Sequence, residues 1–336
     1  MTDARWDEDA RTVIDLLDYW TPLLLRAVVE AGVLEAIGDD RRAVVEVADE
    51  TGVHAPTLAR VLRALAGRGV VHEGPDGSYA LAPIARVLLA EHPRSLRGRA
   101  LFLGFNYHAW AGFMDTLRDG SVAFERHYGM KHFEWLAAHP DKNARFDAVM
   151  QRRTASLLKS SIPLVDRLPE QGTIIDVGGG NGTFLADVLA SRPGLRGVVF
   201  DQPQVVSAAA AVFEAAGVAE RAHAEGGDFF AAIPTGGDVY TLLSVLHDWD
   251  DNDAVRILKR VRAAMDPGTF LLIGEAILAG PNEWDPFKNL DLQMLVLFGG
   301  RERSEPEWRA LVGQAGFRVD AVTPSPALGC IAATAV

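Results

Sequence analysis

Between Asp7 and Ile37 apolar residues return every three or four positions, at Ile14, Leu17, Leu24, Val28, Ala31 and Leu34, which is the stripe of amphipathic helix. The pair Thr21-Pro22 predicts a break into two helices, because proline lacks the N–H a helix interior needs. A helix from Ala43 to Glu50 follows, then a turn at Thr51-Gly52, then a helix from Ala55 through Leu65 that closes at Gly67 to Gly69. Two short strand-like runs, Val70 to His72 and Tyr79 to Leu81, flank the turn Gly74-Pro75-Asp76-Gly77. Together these elements predict a winged helix-turn-helix.

From Arg94 to Arg167 the spacing stays helical and aromatic residues become frequent, among them Trp110, Phe113, Tyr128, Phe133, Trp135 and Phe146. Rings at helical spacing predict packing, with a minority left to line a flat ligand. After Leu168 the rhythm changes. Apolar runs at Thr173–Val177, Gly197–Phe200, Val239–Leu246 and Phe270–Ile273 alternate with helical stretches at Thr183–Ser191, Gln204–Ala216, Asp253–Ala264 and Glu305–Ala315. This alternation predicts a parallel sheet with crossover helices. The tail, Arg318–Val322 and Cys330–Val336, predicts a terminal hairpin.

Charge changes how the first segment is read. The chain carries a formal net charge of −12, and residues 1–95 hold 10 Arg and no Lys against 16 Asp and Glu. A module that grips phosphate needs a basic face, so the charge argues against nucleic acid as the main partner and the winged helix is read as a packing and dimerisation unit. Arg60, Arg63 and Arg68 on its second helix carry the rival reading, a DNA-binding regulator with a ligand-sensing domain. The single cysteine, Cys330, excludes an intrachain disulfide framework and a Cys-rich zinc site. The acidic start predicts no export signal, and no apolar run nears the roughly 20 residues of a spanning helix, so the expectation is a cytoplasmic protein with no membrane partner.

The densest chemical signal is Thr173-Ile-Ile-Asp-Val-Gly-Gly-Gly-Asn-Gly182, an apolar strand entering a glycine turn and then a helix. Gly178 and Gly180 let backbone N–H groups approach a ligand with no Cβ in the way. The dinucleotide pattern G-x-G-x-x-G is not met, since Thr183 stands at a glycine position. Asp176 beside the turn repels a pyrophosphate and attracts a cation. Asp201, 19 residues beyond Gly182, is placed for ribose hydroxyls, and Asp228 with Phe229 offers a carboxylate and a ring face to adenine. Ribose and adenine without phosphate point to S-adenosylmethionine over a nicotinamide cofactor.

The chain resembles the class I S-adenosylmethionine-dependent O-methyltransferases of the caffeate O-methyltransferase type, in their bacterial natural-product branch, over nearly its full length. The motifs are Asp176-Val-Gly-Gly-Gly-Asn-Gly182, Asp228-Phe-Phe230, Leu246-His-Asp-Trp-Asp-Asp251, Gly274-Glu275 and Gly299-Gly-Arg-Glu-Arg-Ser304. The resemblance implies an α/β fold, a doubly wound, mostly parallel seven-stranded sheet behind an N-terminal winged-helix domain. It divides the chain into a dimerisation domain (1–95), an aromatic-rich helical bridge (96–167) and a cofactor domain (168–336), and it implies a homodimer. It assigns Asp176, Gly178, Gly180, Asp201, Gln202, Asp228, Phe229 and Ser244 to the cofactor. Phe146, Met150, Asp248, Met294 and Phe298 fall to a small aromatic acceptor.

His247 follows the apolar run Val239–Leu246, where ligands bind in open α/β sheets. Proton transfer from a phenol (pKa about 10) to an imidazole (about 6.5) is uphill by about three to four units unless concerted with methyl transfer. The resemblance makes His247 the general base and places Glu275 and Glu302 beside it, as a triad carboxylate flanks its histidine. His247, Asp248, Asp250 and Asp251 suggest a metal by composition, yet neighbours in sequence point apart, so the expectation is a metal-independent enzyme with Asp250 or Asp251 capping the next helix. A same-fold N- or C-methyltransferase is the rival within this reading.

Overall fold

Pro22 lies in the first turn of a helix, Trp20–Glu30, and breaks nothing. Its missing N–H is one of the four that a helix start leaves without a partner, and Asp18 caps that start by accepting from the N–H (3.1 Å) and hydroxyl (2.6 Å) of Thr21. The break expected at Thr21-Pro22 therefore falls earlier, between Glu8–Leu16 and Trp20. The computed structural model describes residues 8–144, 146, 149–150, 163–326 and 328–336, apart from the side chains of residues 102–105. These form two compact units, one ending at Tyr107 and one running from His108 to Val336.

In the first unit, helices Val33–Ile37, Val44–Thr51 and Ala55–Gly67 pack around buried Leu34, Leu62, Leu65 and Tyr79. A three-stranded antiparallel sheet completes it: β1 (Arg42–Ala43), β2 (Val71–Glu73) and β3 (Ser78–Leu81), in the order β1-β3-β2. Two of the three arginines that carry the regulator reading are held by carboxylates. Arg63 lies 3.6 Å from Glu73, and Arg68 pairs with Asp15 (3.1 Å) and Asp18.

The second unit is built on β4 (Gln171–Val177), β5 (Gly194–Asp201), β6 (Ala222–Gly226), β7 (Val239–Leu243), β8 (Phe270–Glu275), β9 (Ile277–Leu278), β10 (Arg303–Ser304), β11 (Phe317–Thr323) and β12 (Gly329–Ala335). Seven of them form one sheet in the order β11-β12-β8-β7-β4-β5-β6. Pairings from β8 through β6 are parallel, and β12 runs antiparallel to both β8 and β11. The tail hairpin thus extends the sheet beyond β8. β9 and β10 form a separate parallel pair.

Alternate side chains of a strand face opposite ways. Ile174 accordingly enters the core beneath helices Thr183–Ser191 and Ala209–Ala215, while Ile175 enters the core against Asp251–Ala264 and Glu305–Gln314. Chain order reverses on either side of β4, and open α/β sheets bind ligands beyond the C-terminal strand ends at such a switch point, here those of β4, β5 and β7. No described helix is long and apolar enough to cross a membrane.

Candidate active site

The glycine turn after β4 is forced by packing. Gly178, Gly180 and Gly182 have φ of 69°, 63° and 79°, the left-handed region. A Cβ on Gly178 would sit 2.6 Å from Val245, and one on Gly182 2.7 Å from Phe213. Asp176 lies beneath this turn, fully buried. Its Oδ1 accepts from the Thr241 hydroxyl at 2.7 Å, and Oδ2 has no partner among the described residues. Burial pushes Asp176 up to about 7, against the Thr241 hydrogen bond and with help from nearby Asp201. At the end of β5, Asp201 accepts from the N–H groups of Gly180 (2.9 Å) and Gln202 (2.7 Å). Two of its four lone-pair sites remain for ribose hydroxyls.

The other residues assigned to the cofactor line the same strand ends. Asp228 turns its carboxylate back onto the Phe230 N–H at 2.8 Å. Phe229, Phe230 and Trp249 form an edge-on aromatic wall, with Trp249 5.8 Å from Phe229 and 4.8 Å from Phe230. Ser244, just past β7, has φ of 54°, which is uncommon for a non-glycine residue, and its buried Oγ has no described partner. Gln202 is exposed, its side chain accepting from Gln204 at 2.5 Å. Two orphaned acceptors, Asp176 Oδ2 and Ser244 Oγ, beside an open glycine cradle fit a nucleoside carrying hydroxyl and ammonium donors.

β7 ends at Leu243, so His247 stands four residues beyond the strand, in a single 3-10 turn, Leu246–Asp248. It is 4% exposed. Its Nδ1 lies 2.7 Å from Glu302 Oε1 and 3.7 Å from Glu275 Oε2, and Nε2 lies 3.5 Å from Asp248 Oδ1. The sequence reading placed both glutamates beside the imidazole; the structure gives the hydrogen bond to Glu302. Glu275, at the end of β8, instead uses Oε1 to accept from the N–H groups of Val245 (2.9 Å) and Leu246 (2.8 Å), which fixes the turn. Burial by itself lowers His247, but Glu275, Glu302 and Asp248 outweigh it and raise it to about 9. Burial likewise raises Glu275 to about 7.

Of the acids weighed as metal ligands, Asp250 caps the helix starting at Asp251 by accepting from the Asp253 N–H at 2.8 Å, and Asp251 pairs with Arg303. The donor atoms of His247, Glu275 and Glu302 do lie within 4.8 Å of one another. Yet 2.7 Å is the length of a charge-assisted hydrogen bond, shorter than the roughly 3.3 Å that separates two ligands each about 2 Å from one tetrahedral zinc.

Of the residues that the sequence reading assigned to an acceptor, Phe146 and Phe298 join one aromatic cluster through Phe133, which lies 6.3 Å from Phe146 and 5.2 Å from Phe298. Met294 is buried on helix Pro286–Leu297 and accepts from the N–H groups of Phe298 and Gly299. Met150 is partly buried. Three residues were missed from sequence: Thr241, the partner of Asp176; His132, buried 4.7 Å from Phe298 and lowered to about 4 by burial; and Arg303. Only Arg303 lay inside a motif already marked.

A glycine turn, strand-end carboxylates and a buried imidazole define a nucleoside-binding α/β domain, and its relatives narrow the class. Residues 110–318 match the model of the O-methyltransferase domain, and residues 14–91 match the O-methyltransferase dimerisation domain. The chain is 38% identical to a phenazine O-methyltransferase of Lysobacter antibioticus, covering 91% of this chain and 90% of the relative. It is 36% identical to the O-demethylpuromycin-O-methyltransferase of Streptomyces alboniger, covering 97% and 88%. A solved O-methyltransferase from neocarzinostatin biosynthesis, in complex with S-adenosylmethionine and 2-hydroxy-5-methyl naphthoic acid, superposes with a TM-score of 0.86 at 32% identity, covering 96% of this chain and 98% of that one. The chain belongs to the O-methyltransferase family.

Proposed function

We propose that this chain, as a homodimer joined through its N-terminal domain, transfers a methyl group from S-adenosylmethionine to a hydroxyl on an aromatic natural product, with His247 as general base and no metal ion. The observation that carries the reading is the buried imidazole of His247 held 2.7 Å from Glu302. With Nδ1–H donating to Glu302, the lone pair stands on Nε2, the tautomer a general base requires. Nearby carboxylates raise His247 to about 9, against a phenol's pKa of about 10, so the uphill transfer shrinks from three or four units to about one. The same carboxylates stabilise the imidazolium that forms.

S-adenosylmethionine supplies an electrophilic methyl on a sulfonium, and Asp176, Gly178, Gly180, Asp201, Gln202, Asp228, Phe229 and Ser244 would hold it. Phe146, Met150, Met294 and Phe298 would grip the acceptor ring, and Asp248 borders Nε2. Relatives named for a phenazine and bound to a naphthoic acid support an aromatic acceptor. The test is incubation with S-adenosylmethionine and a panel of hydroxylated phenazines and naphthoates, read by mass spectrometry. The expected result is one added methyl on oxygen and an equal amount of S-adenosylhomocysteine, unchanged after chelation. No transfer across the panel, or a rate lost to chelation and restored by a divalent ion, contradicts the reading.

A further inference from the structure

Arg303 is fully buried, yet one of its two neighbours in sequence is Glu302, the partner of His247. A buried guanidinium is costly unless its donors are all used. Here they are spent on Arg301 O and on the stretch 246–251 that carries His247. Nη1 donates to Leu246 O at 3.1 Å and to Arg301 O at 3.2 Å, Nη2 to Trp249 O at 3.0 Å, and Nε to Asp251 Oδ1 at 2.9 Å. The guanidinium lies over the Trp308 ring, 5.1 Å from its centroid, and Trp308 is itself pinned by its indole N–H to Ala276 O at 3.0 Å.

The backbone before Arg303 takes a further carbonyl of that stretch. Arg301 N–H donates to His247 O at 2.9 Å, and at Gly300 a Cβ would lie 2.1 Å from that oxygen. The carbonyls of Leu246, His247 and Trp249 are therefore all held by Gly300–Arg303. One rigid, planar fork spans from the residue before the base to Trp249, whose ring belongs to the aromatic wall with Phe229 and Phe230.

We propose that Arg303 is a positioning residue of the methyl-transfer site: it sets the placement of the His247 imidazole between Glu302 and the cofactor-side wall. The proposal rests on the reading of His247 as base. A general base displaced by about 1 Å loses on the order of 100-fold in rate, so the geometry of this fork bears directly on turnover. A charge-only role is separable from a fork role, because lysine keeps the charge but cannot reach two carbonyls and a carboxylate from one plane.

The experiment uses the full-length chain with Arg303→Lys, and Asp251→Ala as a second, milder variant, since the Asp251 side chain is 56% exposed and its loss leaves the bonds of Arg303 to the carbonyls of Leu246, Trp249 and Arg301 in place. Three quantities are read: kcat, the Kd for S-adenosylhomocysteine, and the titration of the His247 ring by NMR. For Arg303→Lys the expected result is kcat lower by 10- to 100-fold, Kd within about threefold, and a His247 midpoint moved from near 9 towards 6.5 as Glu302 loses register. Asp251→Ala moves kcat and the midpoint in the same directions by less. A wild-type kcat with a wild-type midpoint in Arg303→Lys overturns the proposal. If that variant does not fold, a wild-type kcat and midpoint in Asp251→Ala overturn it instead. The NMR titration reads Arg303 without turnover, so failure of the base reading, shown by His247→Ala retaining activity, is distinguishable from failure of this one.

Discussion

Glu302 Oε1 lies 2.7 Å from His247 Nδ1, in a place where neither residue is more than 4% exposed. An anion at that distance in a low-dielectric site favours the imidazolium strongly, and Glu275 at 3.7 Å adds to it. Glu302→Gln keeps the shape and removes the charge. In the wild type, kcat/KM is expected to rise with pH and level near 9 as His247 becomes neutral; in Glu302→Gln the midpoint falls by at least one unit and kcat drops about 10- to 100-fold. An unmoved midpoint contradicts the assignment.

Stability of the ligand-free protein is expected to fall as pH rises. Asp176 and Glu275 are raised to about 7, so in the fold each keeps its proton up to about pH 7, and the stability this gives is present at low pH and lost between about 4 and 7. His247 is raised to about 9, so its contribution is full below about 6.5 and is lost as pH climbs through 9. All three act in one direction. Urea midpoints measured from pH 5 to 9 check this, and Asp176→Asn flattens the part below pH 7; a profile that rises over that range refutes it.

Gly178 combines a left-handed backbone with a close approach in the glycine turn. Alanine there adopts a left-handed φ of 69° and drives its Cβ to 2.6 Å from Val245, two residues before His247. Strain and overpacking together cost about 2–4 kcal/mol. Gly178→Ala is expected to lower the unfolding free energy by that amount and to weaken S-adenosylhomocysteine binding in calorimetry, whereas a neutral effect on both removes the packing account of the turn.

Phe298 stacks on Phe133 at 5.2 Å and meets His132 edge-on at 4.7 Å. Ring pairs of this kind contribute about 0.5–1.5 kcal/mol beyond burial. Phe298→Ala is expected to raise the KM for an aromatic acceptor about tenfold while leaving S-adenosylhomocysteine affinity unchanged. Equal losses of both place Phe298 in the scaffold rather than the acceptor wall.

The sheet strands with apolar runs, the glycine turn and the helix Thr183–Ser191 are legible in the sequence because burial on both faces leaves an unbroken pattern. β6 is not: it is an edge strand reading Ala-His-Ala-Glu-Gly with only its first residue buried, so no apolar run marks it. The helical stretch Gln204–Ala216 is two helices, Pro203–Val206 and Ala209–Ala215, since a run of alanines carries no signal for a break. β7 reads as running to Leu246, yet it stops at Leu243, where Ser244 turns left-handed. The burial of Arg303 was invisible for a different reason: charge in a motif predicts exposure, and only the carbonyls of a distant turn reverse it.

The most direct test of the central claim is single-turnover methyl transfer with His247→Ala, cofactor bound in advance and an aromatic hydroxyl acceptor added. The account predicts that the bound S-adenosylmethionine is retained with wild-type affinity while the rate of transfer falls by 10²- to 10⁴-fold, with partial recovery at high pH as the acceptor ionises in solution. A single-turnover rate within a fewfold of wild type at neutral pH would show that His247 does not take the proton.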